Sequence, residues 1–146
     1  MWYRIFGQNN SNPDLAALLE HLHAAGLPAM AHFRGDDLGW TGGELVLGDQ
    51  TVAVQRYLAK EDDLRDDLNT WAGWLETRTD QPRHEELMQR VINSKQLITL
   101  RSPAESGFDG LCDEVCRWLA RQTGGFYQAD GRGFFAAAGE LLLPDE

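Results

Sequence analysis

Apolar residues along this chain follow two kinds of spacing, and each predicts its own element. Short apolar or alternating runs predict strands over residues 3–6, 29–34, 43–47 and 51–57, the last with Val52 and Val54 on one face. Leu15, Leu18, Leu19 and Leu22 recur at helical spacing and predict an amphipathic helix between the first two strands. Asn12-Pro13 reads as its start: the Asn side chain caps an orphan amide, and Pro lacks the amide that would go unpaired. Gly26 ends it. Gly35-Asp36-Asp37 and Gly48-Asp49-Gln50 read as turns.

Beyond residue 58 the spacing turns helical. Glu61-Asp62-Asp63 predicts a helix start, where carboxylates offset the positive end of the macrodipole. Leu64, Leu68, Trp71 and Leu75 then form one narrow stripe. Pro82 breaks the pattern, and Leu87, Met88, Val91 and Ile92 predict a second, shorter helix. A strand over 97–101, a loop over 102–110 and a helix on Leu111, Val115, Trp118 and Leu119 follow. Gly124-Gly125 closes that helix, before a strand over 126–129, a turn at Asp130-Gly131 and a return over 133–143.

Residues 2–49 and 98–145 show the same order at a constant offset of 96 residues. At that offset Gly43-Glu44-Leu45-Val46-Leu47 lies on Gly139-Glu140-Leu141-Leu142-Leu143, and Asp49 on Asp145. No Gly/Ser linker separates the copies. The expectation is therefore an α+β fold and a single domain over residues 1–146. Two tandem βαββ units would form a mostly antiparallel sheet covered by helices, with an extra strand and a helical insert over residues 50–96.

The composition narrows the function. A chain of 146 residues with 42% hydrophobic and 10% aromatic content can bury a sizeable core. No apolar run approaches the ~20 residues that span a bilayer, and no signal-peptide pattern opens the chain, so a cytoplasmic protein away from membranes is expected. The net charge of −10 argues against nucleic acid and suits a basic protein partner.

Candidate chemistry is sparse. His21 and His23, two apart on a helix, point in nearly opposite directions and cannot share an ion, so no metal site is expected. Cys112 and Cys116 share a helix face with nearly parallel Cβ vectors, which suits buried thiols and not a disulfide. Ser11, Ser94, Ser102 and Ser106 lie in no nucleophile motif, and the Gly-rich stretches lack the lysine of a phosphate loop. No catalytic residue and no cofactor are expected, and the balance is against an enzyme.

What remains is an acidic run, Glu61, Asp62, Asp63, Asp66 and Asp67, together with Trp40 and Trp74. Acids around an aromatic anchor suit a contact surface for a basic protein. The alternative is a small-ligand-binding protein or enzyme using the cleft between the two units, with His32, Arg34 and Asp36 as its ligand-binding set. Sheet edges would also allow a homodimer.

Three blocks carry a resemblance. Gln55-Arg56-Tyr57-Leu58, then Leu64-Arg65 through Leu68-Asn69-Thr70-Trp71-Ala72 to Trp74-Leu75-Glu76, then Tyr127-Gln128 through Asp130-Gly131 to Gly133-Phe134-Phe135 resemble a family of small uncharacterised bacterial proteins. The resemblance implies a bacterial, cytosolic origin; it brings no activity, cofactor or site residue.

Overall fold

In β1 (Trp2–Gly7) Tyr3 and Ile5 point to one side and Phe6 to the other, and all three are buried. Successive strand residues face opposite ways, so this strand must be covered on both faces. The computed structural model describes residues 1–103 and 109–145; part of the expected loop over 102–110, with Ser106, lies outside the described residues. After β1 the elements are α1 (Leu15–Ala24), β2 (Met30–Asp36), β3 (Gly39–Leu47), β4 (Gln50–Leu58), α2 (Arg65–Glu76), α3 (His84–Ile92), β5 (Gln96–Arg101), α4 (Gly110–Gln122), β6 (Phe126–Ala129), β7 (Gly133–Ala136) and β8 (Leu141–Pro144). The strands form one sheet in the order β2-β3-β4-β5-β1-β6-β7-β8, and each neighbouring pair runs antiparallel. The α+β expectation holds.

Two cores sandwich the sheet. On one face Leu18 and Leu22 of α1 and Val115, Cys116 and Leu119 of α4 pack on Tyr3, Ile5, Val52, Val54, Ile98 and Leu100. On the other, Leu68, Ala72 and Leu75 of α2 and Leu87 and Val91 of α3 cover Phe6, Leu97, Phe126, Phe134 and Leu143. The helical insert thus supplies the second layer. It does not reach β2–β4, where His32, Arg34, Glu44 and Ala53 stay exposed on the uncovered part of that face.

The expected repeat of two βαββ units does not carry through: residues 2–49 hold β1-α1-β2-β3, residues 98–145 hold β5-α4-β6-β7-β8, and the strands take different places in the sheet. Three strands separate β1 from β2, whereas only β1 separates β5 from β6. The predicted return over 133–143 is two strands, because Ala136 N–H donates to Glu140 O at 2.8 Å and Gly139 (φ +98°) turns the chain. Gly43 to Leu47, by contrast, run within a single strand. The units meet directly in the sheet: β1 and β5 are hydrogen-bonded neighbours from Trp2↔Arg101 to Gly7↔Gln96.

Two helix starts differ from expectation. Asp14, not Asn12, caps α1, its carboxylate accepting from the amides of Ala16 (2.9 Å) and Ala17 (3.4 Å). The acids 61–63 precede α2, since Asp62 accepts from Leu58 N–H at 2.8 Å in a turn and Asp63 has φ +51°. At the far ends α1 and α4 close alike, with Leu27 N–H donating to Leu22 O and Gly125 N–H to Ala120 O, both at 2.8 Å, around left-handed Gly26 and Gly124.

An ion pair between a buried carboxylate and a partly exposed arginine ties α4 to the β6–β7 turn. Both oxygens of Asp113, whose side chain is 0% exposed, accept from Nη1 of Arg132 at 2.9 Å. Arg132→Met strands that carboxylate out of water and is expected to cost about 3–5 kcal/mol in urea unfolding, more than Asp113→Asn, which leaves no buried anion.

Candidate functional site

The acidic run does not form one face. Glu61, Asp62, Asp63, Asp66 and Asp67 are all exposed, and among the described residues none is within ion-pairing distance of a cation. Yet Asp62 is spent on the turn, Glu61 faces a cavity beside Arg56, and Asp67 looks onto a groove on the far side of α2's first turn. Trp40 is no surface anchor. It is buried on β3, its indole N–H donates to Pro13 O at 2.9 Å, and its ring meets Phe33 edge-on. Trp74 is half-buried, stacked on Phe134 with Arg78 5.1 Å from its ring centre.

The second candidate set also separates. His32 and Arg34 are exposed on the edge strand β2, while the Asp36 carboxylate accepts from Leu38 N–H at 2.8 Å within the β2–β3 turn. Asp36 instead joins Glu61 and Asp62 around Arg56, in a concavity of about 200 Å³. Members of the two sets meet there, at an arginine that neither included.

Where α2 leaves the sheet partly uncovered, a groove forms. One stretch, about 380 Å³, is lined by Trp2, Arg4, Tyr57, Asp67 and Trp71 over Leu97 and Thr99. The next, about 320 Å³, shares Trp71 and continues to Trp74, Gln128, Asp130 and Asp145. Arg4 lies at the join: Nη1 donates to Gln128 Oε1 at 2.8 Å and to Asp130 Oδ1 at 2.7 Å, and the guanidinium lies 4.8 Å from the Trp71 ring centre and 5.9 Å from that of Trp2. Burial, with the nearby Asp130 charge, raises the Asp145 carboxyl above its ordinary range. Trp2 (38% exposed) and Tyr57 (37%) keep large apolar surface in water. The groove has aromatic walls, a polar floor and an unpaired acid on its rim.

A second concavity, about 660 Å³, lies at the end of β4 and the start of β5. Antiparallel pairing sets Leu58 opposite Gln96, and Ala59 N–H donates to Lys95 O at 2.9 Å, so the two ends of the insert meet. That junction brings Lys60 and Lys95 to one cavity with Arg56 and Arg65. Arg56 is only 5% exposed. Its Nε donates to Gln96 Oε1 at 2.8 Å and its Nη1 to the carbonyls of Leu38 (3.2 Å) and Trp40 (3.1 Å). Burial lowers its pKa from the ordinary value, opposed by the charges of Asp36 and Asp62. Gln96 is itself buried, its Nε2 donating to the carbonyls of Asn9 (2.9 Å) and Ser11 (2.8 Å).

Other reactive groups are occupied structurally. Burial opposes ionisation of Asp109, but hydrogen bonds from Ser102, the Cys112 amide and Gln50 outweigh it and hold the carboxyl below its usual range as the cap of α4. Cys112 and Cys116 are buried free thiols that burial drives up in pKa. Among the described residues no three His, Cys, Asp or Glu side chains gather to hold a metal, and no helix is long and apolar enough to cross a membrane.

Reading by composition passed over Trp2, Arg4, Tyr57 and Trp71 as a group, and Arg56 with the two lysines. One signal was present: Arg56 follows Val52 and Val54 at strand spacing, so it is a cation on the buried face. No family model matches the chain, nor does any curated protein or solved structure. Gln96→Leu removes three hydrogen bonds at once and leaves Arg56 Nε and two carbonyls unsatisfied; unfolding free energy is expected to fall by about 2–4 kcal/mol in urea titration.

Proposed function

We propose that this chain is a non-enzymatic interaction protein whose contact surface is the groove along α2, and that its partner is a protein offering a basic, extended segment. One observation carries the reading: Trp2, Tyr57 and Trp71 surround a groove whose rim acid, Asp67, has no cation of its own among the described residues. Aromatic and arginine side chains supply most binding energy at protein contacts, because they bury large area at little entropic cost. Arg4 is held by Asp130 and stacked on Trp71, so the floor of the groove is set before a partner arrives. Asp63, Asp66 and Asp67 add attraction for a cationic segment, which speeds encounter more than it deepens affinity. The reading keeps three of the five expected carboxylates and takes Trp2, Tyr57 and Trp71 as anchors instead of the buried Trp40.

Capture from a bacterial lysate, compared between the native chain and Trp2→Ala/Tyr57→Ala, tests the groove itself. Both side chains are partly exposed, so the variant is expected to fold with native thermal stability. The retained protein should bind the variant at least about tenfold more weakly, as loss of two aromatic anchors predicts. Its association with Asp63→Asn/Asp66→Asn/Asp67→Asn should slow at low salt and converge with the native rate at high salt. Undiminished binding by the aromatic variant, or no retained protein at either salt, overturns the reading.

A further inference from the structure

The groove leaves the larger concavity unexplained, and we propose that this cavity binds a phosphate-bearing small molecule. The argument starts from how cations are distributed. The chain is acidic, with net charge −10, and its only two lysines are Lys60 and Lys95. Charge placed for solubility disperses over a surface. Here both lysines sit at one cavity with Arg56 and Arg65, against a single lining carboxylate, Glu61.

Arg56 separates a built site from a rim of lysines. It is a guanidinium 5% exposed; Asp36, Glu61 and Asp62 share the smaller concavity with it, yet no carboxylate is within ion-pairing distance among the described residues. Burying an unpaired cation is costly, and such groups are ordinarily matched by an anion. Its Nε and Nη1 are fixed by Gln96 and two carbonyls, which leaves Nη2 without a protein acceptor among the described residues. Gln96 is anchored in turn by two backbone carbonyls, so the guanidinium is oriented in advance. One fixed guanidinium nitrogen beside three exposed cations, Lys60, Arg65 and Lys95, suits an anion with several terminal oxygens and more than one charge. A monocarboxylate, singly charged and with two oxygens, would leave most of these four cations unmatched.

The volume argues for more than the anion. At about 660 Å³ the cavity falls within the range of small-molecule sites. Leu38, Leu58, Ala59 and Ile92 give it an apolar strip, and Asn10 and Asn93 give it neutral hydrogen-bonding groups. An organic body carrying the phosphate would lie on that strip.

The test uses the whole chain, with inorganic pyrophosphate as the probe and citrate at matched ionic strength as the carboxylate control. Lys60 and Lys95 are the only side-chain amines, so acylation by an N-hydroxysuccinimide ester, read by peptide mass spectrometry, reports them directly against the Met1 amine as internal control. At a probe concentration about ten times Kd, both lysines should acylate about tenfold more slowly, with Met1 unchanged and citrate giving little protection. Pyrophosphate should also raise the melting temperature of the native chain, and Lys60→Gln/Lys95→Gln, both exposed positions, should lose that rise while keeping its own unliganded stability. Unprotected lysines, equal protection by citrate, or an undiminished rise in the variant overturns the proposal.

Discussion

The pairing of β1 with two strands from the last third of the chain is the constraint on which the rest of the molecule depends. Trp2–Gly7 bonds to β5 along its full length on one side and, from Tyr3 to Phe6, to β6 on the other. No strand of the β2–β4 meander pairs with one of the β6–β8 meander; both join through β5 and β1. Because β1 is buried on both faces, it obliges helices to cover both sides, and the segment between β4 and β5 supplies the second pair.

Both candidate surfaces follow from that arrangement. The insert covers Phe6, Phe126 and Phe134 but stops short of β2–β4, so α2 stands as a wall above an open sheet, and the groove is the corner between them. The insert also leaves from β4 and returns to β5, which are neighbours, so its first and last residues are forced together. Lys60 and Lys95 lie far apart in sequence and meet for that reason alone.

Much of the fold was legible from spacing. The stripe of Leu64, Leu68, Trp71 and Leu75 marks α2, and Leu111, Val115 and Leu119 mark α4, because a core-facing helix has little other way to place its apolar residues. Boundaries set by individual side-chain bonds were not legible. Asp62 and Asp63 were expected to open a helix, and the bond to Leu58 N–H, which places them in a tight turn, is a contact that spacing does not show. The internal match misled through glycine. Gly43 is in mid-strand, where a Cβ would collide with His32 O, whereas Gly139 turns the chain at φ +98°. One residue type answers two backbone demands, and an alignment cannot tell them apart. The candidate sites were less legible still, since neither the groove nor the cavity is local in sequence. Trp40 precedes the strand expected over 43–47; β3 begins earlier, at Gly39, and takes it inside.

The central place of β1 also bears on how the chain folds. The β2–β4 meander can pair as soon as it is synthesised, through short hairpins. β1 cannot: its partners are residues 96–101 and 126–129, so both of its hydrogen-bonding edges wait until most of the chain has emerged. Such high contact order slows folding and leaves an apolar strand, Tyr3 to Phe6, exposed during synthesis. The segment that joins the finished sheet is thus the last to be secured, and a nascent chain halted before β5 would present it as a free, adhesive edge.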